Sequence, residues 1–93
     1  MGTQTVTQET RAQRLLLADR LRGLSGSIRA SRLEYNRIYG PGVTVIPRGN
    51  IVKILHTKMN YRSPENPSGD IWCRVKDLWG DLEMWVPSTF IVV

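Results

Sequence analysis

One cysteine, Cys73, excludes a disulfide within the chain, and one histidine, His56, leaves no set of metal ligands and no room for a catalytic triad. No serine, cysteine or carboxylate stands in a local pattern that pairs a nucleophile with a base, so neither an enzyme, a cofactor nor a metal is expected. Long apolar runs are missing too. The longest, Leu15-Leu16-Leu17-Ala18, is flanked by Arg14 and Asp19 and falls far short of the ~20 residues that span a bilayer, so no membrane role is expected. The first residues, Met1 to Thr7, lack the basic start and apolar stretch of a secretory signal, which leads to the expectation of a cytoplasmic home. At 93 residues the chain makes one small domain, better suited to a shallow surface site than to a deep cavity.

Acidic residues are scarce in one half only. Residues 1 to 62 carry eleven Lys or Arg against three acids, a balance of +8, whereas residues 63 to 93 carry two against five, a balance of −3. A basic front half suits an acidic partner, either nucleic acid or an acidic protein surface, and equally suits a solvated face that keeps a small protein soluble.

Residues 7 to 24 read as a helix, opened by Thr7 and closed by Gly23 or Gly26 in the left-handed conformation. At 100° per residue Leu17, Leu21 and Leu24 form a short stripe, which can dock on the rest of the fold or on a second copy of itself as a homodimer. Leu24-Ser25-Gly26-Ser27 punctuates the chain. The stretch from Ile28 to Arg37 stays open between a further helix and a first strand in which Leu33, Tyr35 and Arg37 alternate. Gly40-Pro41-Gly42 makes a turn, and from Val43 onward the period is two. Ile51, Lys53 and Leu55 then share one side of a strand, and Val52, Ile54 and His56 the other. Residues 57 to 70 read as the longest loop, of the kind that carries function. A hairpin follows, turning around Trp79-Gly80-Asp81, and Pro87-Ser88-Thr89 reads as a single helical turn before the last strand.

These pieces resemble the bacterial SH3 family. Asn36-Arg37 and Gly40-Pro41-Gly42 look like its opening, Ile46-Pro47-Arg48-Gly49 like its diverging turn, and Trp72-Cys73-Arg74-Val75 with Gly80 and Trp85-Val86 like its closing hairpin. The resemblance spans about residues 33 to 93. It implies a mainly β fold: a small SH3-like five-stranded barrel over 33–93, preceded by a basic helical extension over 1–32. Trp85-Val86-Pro87-Ser88-Thr89-Phe90-Ile91 is also similar to the eukaryotic SH3 ending, which implies that Pro87 and Phe90 line a ligand groove. Ile71 replaces the first of that family's tandem tryptophans, and the stretch near Gly40 is short and uncharged where the family carries acids. The expectation therefore turns away from proline-rich ligands.

The function expected is that of a non-catalytic interaction module, an adaptor or accessory subunit of a larger cytoplasmic complex with a protein partner. Its contact surface would be built from Tyr39, Tyr61, Trp72, Trp79, Trp85, Pro87 and Phe90 with the 57–70 loop, since each tryptophan can bury well over ~150 Å². The alternative is a nucleic-acid-binding regulatory protein. In that reading Tyr39, Tyr61 and Trp79 stack on bases while a basic surface of Arg11, Arg14, Arg20, Arg22, Arg29, Arg32, Arg48, Lys58 and Arg62, joined by Lys53, holds the backbone. His56 is expected as a strand residue and Cys73 as a small buried packing residue.

Overall fold

The structure, a computed structural model, describes residue 13 and residues 15–60 and 70–93, with Asn60 described in its backbone alone. The start of the first helix, Arg11, Arg14, Tyr61, Arg62 and the centre of the expected loop lie outside the described residues.

The molecule is mainly β. Residues 15–21 form helix α1, and then come β1 (Ser25–Ile28), α2 (Arg32–Tyr39), β2 (Ile51–Asn60), β3 (Asp70–Asp77), β4 (Glu83–Pro87), a 3-10 turn (Ser88–Phe90) and β5 (Ile91–Val92). All pairings are antiparallel and the order is β4-β3-β2-β1-β5. Among the described residues β4 and β5 remain as two edges, and hydrogen bonding does not close the sheet into a barrel. The open edge of β4 is instead met by α2, whose Tyr39 hydroxyl donates to the Trp85 carbonyl. A side chain taking an edge carbonyl blocks further strand addition at that point.

The sheet starts earlier than residue 33. Ser25, Gly26 and Ser27, expected as punctuation after the first helix, form with Ile28 a strand that pairs with both β2 and β5. Gly26 makes this possible: a Cβ there would lie 2.5 Å from the Val92 carbonyl oxygen and 2.8 Å from Ile91 Cγ2, so only glycine lets β5 approach. The helix stop is therefore Gly23, at φ 84°, whose N–H donates to the Ile54 carbonyl at 2.8 Å.

The open stretch resolves as a helix and not as a strand. Ser31 accepts from the Glu34 N–H while Glu34 accepts from the Ser31 N–H at 3.0 Å, a reciprocal cap that starts α2. The Ser31 N–H also holds the Glu34 carboxyl below its ordinary range. Tyr35 is buried, whereas Leu33 is 70% exposed, so the alternation of apolar residues here marks no sheet face. Residues 43–47 likewise belong to no strand, although Ile46 is fully buried.

Two further expectations change in β2. Its pairing with β3 shifts between Ile54 and His56, leaving Leu55 as an extra residue opposite adjacent partners Val75 and Arg74. Such a bulge reverses the parity of everything beyond it. Val52 and Ile54 are fully buried, yet His56 is exposed, on the opposite face from the one that simple alternation assigns. Residues 57–60 are strand rather than loop, paired with Cys73 back to Asp70.

The core lies between the inner face of the sheet and the two helices. Ile28, Val52, Ile54, Cys73, Val75 and Val86 meet Tyr35 from α2, which stands edge-on to Phe90 at 5.2 Å. Ala18 and Leu21 bring α1 onto the same core, and Thr57 Oγ1 donates to the Ala18 carbonyl at 2.8 Å. The leucine stripe thus divides: Leu21 is buried in its own fold, while Leu17 and Leu24 stay exposed.

Candidate functional site

Strand alternation puts Ile71, Cys73 and Val75 inside, so Trp72, Arg74 and Lys76 face outward on β3. Their cross-strand partners share that face. Lys53, His56 and Lys58 stand opposite Lys76, Arg74 and Trp72 on β2, and Glu83, Trp85 and Pro87 stand opposite Lys76, Arg74 and Trp72 on β4. The result is a nine-residue outer surface with four permanent cations, one acid and two indoles. The Leu55 bulge assembles it, because without the change of parity His56 and Lys58 would face the core.

Within this surface Lys58 Nζ sits 4.3 Å from the centroid of the Trp85 ring, where the electron-rich face attracts a cation. Arg74 Nε reaches Glu83 Oε1 at 3.4 Å, an exposed pair worth little in stability. Lys53 opposite Lys76 places two like charges side by side, which is unfavourable on a strand pair. Trp72 is half-buried, and its Nε1 is buried without a hydrogen-bond partner among the described residues.

The other expected contact residues scatter. Trp79, 68% exposed, stands at the tip of the β3–β4 hairpin, where its backbone N–H donates to Asp77 Oδ1 at 2.9 Å. Tyr39 is half-buried against Tyr35 and committed to the Trp85 carbonyl. Phe90 is buried, only 6% exposed, and Ile71 is 4% exposed. Phe90 therefore lines no groove: it is core, packed against Tyr35, and Pro87 lies on the outer sheet face instead.

Among the expected basic residues, Arg20, Arg22 and Arg29 are exposed, with Arg22 paired to Asp19. Arg32 and Arg48 come together around a pocket of about 300 Å³ whose walls are Ala30, Tyr35, Val45 and Pro47. Arg48 is placed there by a turn in which the Asn50 N–H donates to the Pro47 carbonyl at 3.2 Å, with Gly49 at φ 93°. The Tyr35 hydroxyl is buried without a partner among the described residues. Burial raises the Tyr35 and Tyr39 hydroxyls to about 12, so both stay protonated donors at neutral pH.

Sequence reasoning missed Arg74 and Lys76 as members of a basic sheet face. Their alternation with Ile71, Cys73 and Val75 was the available signal. It also passed over the pocket walls, which two segments, 30–35 and 45–48, contribute and no spacing reveals.

Cys73 is fully buried and burial pushes its thiol up to about 11, which leaves little thiolate at neutral pH. Among the described residues no group of three His, Cys, Asp or Glu could hold a metal ion, and no helix is long and apolar enough to cross a membrane. Comparison with protein-family models, with curated proteins and with solved structures finds no match to this chain.

Proposed function

We propose that this chain is a non-catalytic SH3-like interaction module that receives an acidic segment of a protein partner on the outer face of β2, β3 and β4, as an adaptor or accessory subunit of a cytoplasmic complex. The observation that carries the reading is the cross-strand arrangement of Lys53 against Lys76, on the face that also carries Lys58, Arg74, Trp72 and Trp85. Carboxylates laid across these strands would relieve the repulsion and gain charge-assisted hydrogen bonds. The five antiparallel strands, the β3–β4 hairpin and the 3-10 turn before β5 support the SH3-like assignment. With no closing hydrogen bonds among the described residues, the proposed module is a half-open variant whose β4 edge is met by the Tyr39 hydroxyl. Burial of Phe90 and Ile71 argues against a proline-rich ligand.

A second reading, nucleic-acid binding, draws on the same interleaving of cations and indoles. Stacking is disfavoured at Trp85, whose ring already holds the Lys58 ammonium. Titration of the protein with an Asp/Glu-rich peptide and with single-stranded and duplex oligonucleotides, each at two salt concentrations, separates the readings. Peptide binding that Lys76→Glu weakens by about tenfold, without comparable oligonucleotide binding, supports the module. Micromolar oligonucleotide binding with a steep salt slope replaces it with the second reading. Failure of both ligands at low salt removes both.

A further inference from the structure

The pocket between α2 and the Pro47–Asn50 turn belongs to no part of the sheet face. Its walls are apolar, with Ala30 and Tyr35 almost wholly buried, and Arg32 and Arg48 stand exposed at its margin. Neither arginine has an ion pair among the described residues. A volume of about 300 Å³ is at the small end for a ligand site, room for one large side chain rather than an extended cofactor. Arginine at the rim of an apolar hollow is suited to bidentate contact with carboxylates whose apolar neighbour fills the hollow. A doubly charged phosphate fits less well. Glu34 keeps its negative charge at the start of α2, two residues from Arg32, where its carboxyl is held low by the Ser31 N–H.

We propose that this pocket seats one large apolar side chain of an acidic partner segment, with the carboxylates on either side of that side chain held by Arg32 and Arg48. Charge complementarity selects the occupant: the rim offers two cations without an ion pair among the described residues, above walls that are mainly apolar. An apolar anchor in a pocket, surrounded by oriented charges, is the usual form of an interface hot spot. The site is independent of the outer sheet face, since none of its lining residues lies on β2, β3 or β4.

The test uses a fluorescein-labelled peptide in which a single Phe is flanked by Asp and Glu. Its controls carry Ala for Phe, or Asn and Gln for the acids, and free phenylacetate forms a separate arm. Anisotropy at near-physiological salt measures affinity, and amide shifts in nuclear magnetic resonance spectra locate the contact. The expected result is binding of the first peptide with shifts at Ala30, Tyr35 and Val45, reduced at least tenfold by either control and by Arg32→Glu combined with Arg48→Glu. Both substitutions are at exposed positions, and an acid in the first turn of α2 suits the helix N-terminus, so circular dichroism should be unchanged. Binding that the double reversal changes by less than twofold overturns the proposal. So do shifts confined to Lys58, Trp72 and Trp85, which would favour the sheet face alone. Phenylacetate binding as tightly as the peptide would overturn the protein segment in favour of a free small carboxylate.

Discussion

Trp79 separates exposure from packing at the level of a single side chain. Its indole projects from the hairpin tip while its backbone N–H alone is tied to Asp77, so Trp79→Ala keeps every described hydrogen bond of the turn. The thermal midpoint should stay within a few degrees of the parent; a large stability loss would show that the ring is core. Tyr35 is the opposite case. Its ring packs edge-on to Phe90, but its hydroxyl is buried without a partner among the described residues, a cost of ~1–3 kcal/mol that Phe would not incur. Tyr35→Phe should therefore raise unfolding free energy by about 1 kcal/mol in urea titration, whereas a loss of that size would mean that the hydroxyl is satisfied.

Among the elements, β2 decides the character of the surface. Leu55 is the one residue that lets Val52 and Ile54 stay buried while His56 and Lys58 join Lys53 outside. Deleting Leu55 would straighten the pairing and force either His56 and Lys58 inward or Val52 and Ile54 outward. The expected outcome is loss of cooperative unfolding, followed by near-ultraviolet circular dichroism and urea titration; a deletion variant as stable as the parent would disprove the bulge. Helix α2 was only half legible. Ser31-Arg32-Leu33-Glu34 contains the cap signature that starts it, but the alternation of Leu33, Tyr35 and Arg37 competes with that signal. The conflict is settled by Tyr35, which reaches the core from a helix as well as from a strand.

For the whole molecule, three shielded protons among the described residues link stability to pH. Cys73, Tyr35 and Tyr39 are raised from ordinary values of 9.0 and 10.0 to about 11, 12 and 12, chiefly by burial, which penalises the charged form. The unfolded chain releases these protons first, so between the two sets of values it binds fewer protons than the fold, and stability falls as pH rises. Urea midpoints should hold level up to about pH 9 and then decline progressively toward pH 12. A midpoint that stays level through this range would show that these groups ionise within the fold.

Composition and periodicity by themselves determined the β-rich C-terminal half, the hairpin around Trp79-Gly80-Asp81, the short helical turn before the last strand and the burial of Cys73, because each depends on neighbours within a few residues. Gly26 as a strand residue, the Leu55 bulge and the inward position of Phe90 were decided by tertiary contact. Each depends on which distant backbone comes close: β5 against Gly26, β3 against Leu55, and α2 against Phe90. The meeting of Arg32 and Arg48 around one pocket is of the same kind. Sixteen positions separate them in sequence, and only folding α2 back toward the Pro47–Asn50 turn makes them neighbours around it.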